Sequence, residues 1–294
     1  MFLFQKIEEI IMIYKDARAS VAEFVLQEKD NLHKYTINEV AYHSYTSKAT
    51  VVRFAKTLGF EGWRDFIKEF IYEVKYHNAH KDDVDANYPF SEKSSLDDII
   101  EGIKQVQIES IKDTVELLDK DMIKISTNYL EKARRVVIFG LAPNIFLGEL
   151  FRRKMITIGK QVDIARPGEM GIISRMLDHN DCAIFISYSG NSKISEPMSH
   201  LQLLLDNKVP IIGITSGGDN YIRRKLSCVI TISSKEKLYT KISNFATEES
   251  IHYILNLLFS SYFVRNFNNN NITKLNNSKI LEQSRSAVLN SIKE

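Results

Sequence analysis

Cysteine is nearly absent from this 294-residue chain: there are two, Cys182 and Cys228, each inside an apolar run that reads as a strand. Nothing around either resembles a metal or redox motif. That excludes a disulfide framework, a zinc ribbon and a dithiol redox motif, and leaves two buried, reduced thiols in a cytoplasmic setting as the expectation. No apolar run reaches the roughly 18 residues a membrane span requires, so no membrane partner is expected. A targeting leader is not expected either. The opening MFLFQKIEEIIMIY starts apolar, but has neither a basic flank nor a small-residue cleavage site, and acids interrupt it, as in an amphipathic helix. Charge of one sign is also missing. Lys+Arg number 39 against 37 Asp+Glu, and residues 1–77 hold 11 of each. Any nucleic-acid contact must rest on local arrangement rather than on overall charge. Hydrophobic residues make up 44%, enough for one large domain or two of ordinary size.

The chain changes character along its length. Residues 1–77 lack alternating strand patterns and read as helices, with breaks near Lys29–Thr36, Ser44–Ser47 and Gly59–Gly62. Residues 78–95, NAHKDDVDANYPFSEKSS, are polar and aperiodic, which describes a linker. A helical pattern then runs from Leu96 to about Asn128. Beyond it lie five short Val/Ile-rich runs: RVVIFG, QVDIA, CAIFIS, VPIIGITS and SCVITIS. Near-continuous apolar strands alternating with helices indicate a parallel sheet covered on both faces. A last helix is expected from Lys241 to about Phe267, followed by an Asn-rich, low-complexity tail. The expected division is 1–77 helical, 78–106 linker and start of a connecting helix, 107–265 α/β, and 266–294 tail.

Within the helical part, Thr36 and Ser47 each stand at an N-cap position, before INEVAYH and KATVVRFAKTL. Two short helices joined by a few residues suit a helix-turn-helix. On a 3.6-residue wheel, Val51, Phe54, Ala55 and Leu58 share one side of the second helix. Ala49, Val52, Arg53 and Lys56 share the other, with Lys48 and Thr50 on its flanks. No acid occurs between Ser47 and Phe60. In a DNA major groove, Arg53 or Lys48 could meet a guanine edge or a phosphate, and Ala49, Thr50 and Val52 could meet thymine methyls. Ser47 at the helix N-terminus suits a phosphate. A solvated charged face on a small bundle would look the same.

The stretch SKATVVRFAKTLGFEGWRDF resembles the DNA-binding domain of RpiR-type transcriptional regulators. Ser47, Thr50, Val51, Arg53, Phe54, Leu58, Gly59, Phe60, Gly62 and Trp63 fall on that family's pattern. Tyr45 and Thr46 stand where it usually has Gly or Asn and Val, and Tyr45 would be awkward if the turn requires a positive φ.

The run FISYSGNSKISEP, residues 185–197, ends a strand in small and polar residues. Read as a βα turn with KISEPMSHLQLLLDN starting a helix, it places hydroxyls and Gly190 at a helix N-terminus, a setting suited to phosphate. An ordinary capped turn would use the same residues. The loop is also similar to the Ser-x-Ser-Gly-x-Ser/Thr motif of SIS (sugar isomerase) domains, which Ser187, Ser189, Gly190 and Ser192 match one by one. The resemblance covers about Asn128 to Tyr262 and implies a five-stranded parallel sheet in flavodoxin-like order. It further implies a phosphosugar bound by Gly140, Asn144, Ser187, Ser189, Gly190, Asn191 and Ser192. Gly140-Leu141-Ala142-Pro143-Asn144 departs from the family's usual Gly-x-Gly-x-Ser, which leaves the sugar open.

A helix-turn-helix followed by an SIS domain is the RpiR architecture. It implies a regulator of carbohydrate-metabolism genes that is not an enzyme, with double-stranded operator DNA and a phosphosugar effector as partners. A homodimer or higher homo-oligomer is expected, and no cofactor. The rival is a phosphosugar isomerase, which needs a general base. Glu196, Glu248, Glu249, His200 and His252 are the candidates, and none forms an evident acid/base pair in sequence. Glu248 is also expected to contact the ligand. Arg152-Arg153-Lys154 reads as a solvated or dimer-facing stripe rather than a second nucleic-acid patch.

Overall fold

The computed structural model describes residues 2–79, 84–191, 193–218, 220–233, 235–283 and 285. The chain forms two compact units, the first Met1–Asp85 and the second Ala86–Ser216 with Asn220–Glu294.

The first unit is helical: α1 (Phe2–Ile13), α2 (Ala17–Gln27), α3 (Ile37–His43), α4 (Lys48–Thr57) and α5 (Trp63–Ala79), with a 3-10 turn at Leu32–Lys34. The helices start where short polar side chains can satisfy free backbone N–H groups. Asp16 accepts from Arg18 N–H, and Ser47 from Thr50 N–H. Thr36 and Glu39 cap each other reciprocally. The core gathers Ile7, Val21, Val25, Leu32, Val40, Val51, Phe54, Phe66 and Phe70, all fully buried. Phe66 is its hub, with ring centroids of Phe54, Phe60 and Trp63 at 5.3, 5.6 and 5.0 Å.

The second unit is built on a five-stranded sheet in the order β2-β1-β3-β4-β5, all parallel: β1 (Val136–Gly140), β2 (Val162–Ala165), β3 (Cys182–Ile186), β4 (Ile211–Ser216) and β5 (Val229–Ile232). β1, β3 and β4 are buried along their whole length, as a doubly covered sheet demands. Helices α6 (Leu96–Glu116), α7 (Lys120–Lys132), α8 (Asn144–Ile156) and α12 (Phe245–Arg265) accompany short helices α9 (Met170–Met176), α10 (Leu201–Asp206) and α11 (Tyr221–Lys225).

Four expectations are corrected. The helix expected from Leu96 to Asn128 is two, because Asp119 accepts from Asp121 and Met122 N–H and starts α7 afresh. Part of the expected linker is packed structure: Ala86 and Asn87 are buried in the second unit, and Asn87 bonds to residues around 237. The final helix starts at Phe245 rather than Lys241. The Asn-rich stretch is helical as α13 (Phe267–Leu281), held by Asn270 Nδ2 donating to Phe263 O and Asn277 Nδ2 to Thr157 O. Residues 286–294 of the expected tail lie outside the described residues.

Candidate DNA-reading helix and ligand site

Helix α4 divides as its wheel predicts. Val51, Phe54 and Ala55 are fully buried, while Lys48, Ala49, Arg53 and Lys56 are exposed and Thr50 and Val52 half-buried. Ser47 is exposed, and its hydroxyl lies 3.0 Å from that of Thr50. The fold adds something a single-helix wheel misses. Asp16, the cap of α2, is close enough to Arg53 to feel its charge. Its carboxyl lies below the usual range, first through hydrogen bonds from Arg18 and only weakly through Arg53. Arg18 Nη2 lies 2.7 Å from Asp16, so a local partner already engages that acid and the cationic face of α4 persists.

The α3–α4 turn has left-handed backbone at Tyr45, with φ 53°. Tyr45 N–H donates to Tyr42 O and Thr46 N–H to Ala41 O, which closes α3 in the arrangement glycine usually provides.

In the second unit, the strand order reverses between β1 and β3, which opens a crevice at their carboxyl ends, where ligands of such sheets bind. Gly140 at the end of β1 is in register with Ile186 at the end of β3, so the loops carrying Asn144 and the serines emerge side by side. α8 starts at Asn144 behind Pro143 and has no side-chain cap, so its first-turn N–H groups and positive dipole end lie at this crevice.

The serine loop is ordered by its neighbours. Gly190 N–H donates to Ser187 Oγ at 3.3 Å, Ile222 N–H to Gly190 O at 3.2 Å and Tyr221 N–H to Asn191 Oδ1 at 3.2 Å. Gly190 has φ +61°, and a Cβ there would fall 2.7 Å from Thr215 Oγ1 and 2.8 Å from Asn220. Glycine is thus required by packing within the protein, independently of any ligand approach. Ser187 and Ser189 are half-buried at the loop surface. Ser192 lies outside the described residues.

The expected helix directly after the serines is absent. Residues 193–197 are turns, a 3-10 turn spans Met198–His200, and α10 begins only at Leu201. Pro197 offers no N–H and disfavours helical backbone at Glu196, so the apolar spacing of Met198, Leu201 and Leu204 cannot extend back to Ser192. The helix N-terminus at the crevice belongs to α8. For the same reason Glu196 is not in a first helical turn, nor His200 at mid-helix. Instead Glu196 Oε1 lies 3.1 Å from His200 Nε2, an acid–imidazole pair that sequence spacing did not reveal.

Glu248 sits half-buried in the first turn of α12. Burial, and secondarily the charge of Glu236, raise its carboxyl above the ordinary range. Glu236 itself escaped sequence reading, because a lone acid in the polar run KEKLYTK looks solvated. Its carboxylate accepts from Ala246 N–H at 2.6 Å and Thr247 Oγ1 at 2.6 Å, and pairs with Lys241 at 3.2 Å. It caps α12 from within the core. Of the basic run, Arg152 pairs with Glu149 and Lys154 donates to Asn256 of α12. Among the described residues no group of His, Cys, Asp and Glu could hold a metal ion, and no helix is long and apolar enough to cross a membrane.

A model of the helix-turn-helix domain of the rpiR family matches residues 1–74, and a model of the SIS domain matches residues 129–253. The chain belongs to the RpiR-type family. An uncharacterized HTH-type transcriptional regulator of Haemophilus influenzae is 25% identical to this RpiR-type chain over 260 residues, 85% of this chain and 88% of that one. Among solved structures, the Vibrio vulnificus NanR protein complexed with ManNAc-6P superposes with a TM-score of 0.61 at 17% identity, over 95% of this chain and 98% of that one. A putative sugar-phosphate isomerase from Listeria monocytogenes gives 0.51 at 14% identity, over 58% and 92%. At these identities the two structures establish the fold, which regulators and enzymes share.

Proposed function

We propose that this chain is a transcriptional regulator that binds double-stranded operator DNA through α4, with an affinity set by a phosphosugar held at the carboxyl ends of β1 and β3. The observation that carries the reading is the joining of an rpiR-type helix-turn-helix to an SIS domain in one chain. An enzyme of the same fold has no use for the first domain. In this reading Lys48, Arg53 and Lys56 meet bases and phosphates, Ala49, Thr50 and Val52 lie against base edges, and Ser47 meets a phosphate. Ser187, Ser189, Gly190, Asn191 and Ser192 hold the phosphate together with Gly140 at the end of β1 and Asn144 at the start of α8. Glu248, half-buried in the first turn of α12, is assigned to the sugar. A homodimer presents two α4 helices to two half-sites.

The NanR structure is a complex with ManNAc-6P, so N-acetylmannosamine 6-phosphate is the first probe to try. The Glu196–His200 pair, in the segment that follows the serine loop, favours a second reading, proton transfer on a bound sugar phosphate. Turnover assays with the same probe separate the two.

Arg53→Ala is expected to weaken operator binding by about 1–3 kcal/mol while leaving the probe's thermal shift unchanged. Fluorescence anisotropy with a duplex selected by the wild-type protein measures the first, and melting curves the second. Unaltered DNA affinity would remove α4 from the interface. Product formed by wild-type protein and lost in Glu196→Gln would establish the enzyme reading.

A further inference from the structure

We propose that the loop between β5 and α12 is a clasp that carries occupancy of the serine loop to the segment entering the second unit, with Tyr188 at one end and Asn87 at the other. The proposal rests on the regulator reading and names its coupling residues.

Tyr188 lies between Ser187 and Ser189. Backbone bonds hold this stretch against β4: Ser187 N–H donates to Ile214 O, and Ser216 N–H to Tyr188 O, each at 3.0 Å. The backbone bends at Tyr188 and Ser189, and the Tyr188 side chain reaches the loop between β5 and α12. Its hydroxyl donates to Glu236 O at 2.5 Å, and Lys241 Nζ lies 5.5 Å from its ring centroid. A ligand that draws on either serine therefore moves a rigid ring seated on Glu236.

Glu236 cannot absorb that movement locally. Its carboxylate is fully buried and tied to the first turn of α12 and to Lys241. Its neighbours along the chain are gripped by Asn87. Lys237 N–H donates to Asn87 Oδ1 at 2.7 Å, Asn87 Nδ2 to Lys235 O at 3.4 Å, and Ile242 N–H to Asn87 O at 2.9 Å. Lys235 in turn pairs with Asp113 at 2.9 Å and Glu109 at 3.6 Å on α6. Ser233 Oγ donates to the same Asp113 at 3.3 Å. Asn87 is the second residue of the second unit and is buried, 6% exposed. A passive linker has no need to bury an asparagine and commit both ends of its amide to a loop 150 residues away. Whatever shifts the clasp is applied to the chain where it enters from the DNA-reading unit, and by linkage DNA binding must act back on the ligand equally.

The test uses the full-length protein, the selected duplex, and N-acetylmannosamine 6-phosphate, glucosamine 6-phosphate and fructose 6-phosphate as probes. In wild type, a probe that binds is expected to change the duplex Kd by about tenfold. In Asn87→Ala the probe Kd should stay within about twofold, while the change in duplex Kd falls below about threefold. A purely structural asparagine would lower Tm and leave that ratio intact, which overturns the clasp but not the regulator. A wild-type duplex Kd indifferent to every probe that binds overturns the regulator reading and the clasp with it. Hydrogen exchange on the wild type covers the case in which Asn87→Ala does not fold. Bound probe should slow exchange at the Lys237 and Ile242 amides, and protection confined to the serine loop would overturn the proposal.

Discussion

At Tyr45 the backbone takes φ 53° to close α3, and the ring that pays for this conformation is 96% exposed. A side chain with a Cβ costs about 1–2 kcal/mol there relative to glycine, and no burial offsets it. Tyr45→Gly is therefore expected to stabilise the first unit by about 1 kcal/mol, less the added freedom of the unfolded chain. Urea unfolding followed by Trp63, the chain's single tryptophan, reports on this unit. A lowered midpoint would mean that the tyrosine ring stabilises the turn. The strain was legible through the family resemblance, whose pattern has Gly or Asn where this chain has Tyr45. Asn87 and Glu236 were not legible. Each is a polar residue in a polar run, and only the tertiary fold brings it to partners 10 to 150 residues away.

Among the elements, α12 shows how a buried carboxylate substitutes for a local cap. Asn244 precedes it without a side-chain cap bond, and Glu236 supplies the acceptor from eight residues upstream. Glu236→Ala would strand the Ala246 N–H and the Lys241 ammonium, a loss of about 3–5 kcal/mol. Calorimetry should show a lowered Tm for the second unit with the first unit's transition unmoved; an unchanged Tm would mean water replaces the carboxylate at no cost. The five strands could be read from sequence because burial on both faces leaves an uninterrupted apolar run such as CAIFI. The short helices could not. The leucines after the serine loop have helical spacing, but Pro197 and the turns before it hold the helix off until Leu201. Asn-rich α13 was unreadable for the opposite reason: its residues favour other conformations, and tertiary bonds from Asn270 and Asn277 hold it in place.

For the whole molecule, the two units have different tasks, and neither explains the other's features alone. A cationic α4 without a ligand site would be an unregulated reader. A serine-lined crevice without α4 would be a binding domain or an enzyme. Because DNA affinity carries a large electrostatic part, any comparison must be made at one fixed salt concentration. The most direct measurement is the dissociation constant of the full-length protein for its selected duplex, with and without saturating sugar 6-phosphate, in wild type and in Ser189→Ala. The expected result is a change of about tenfold in wild type that is abolished in Ser189→Ala, whose ligand-free DNA affinity stays at the wild-type value. A duplex affinity that does not respond to any bound sugar phosphate, or a response that survives Ser189→Ala unchanged, would contradict it.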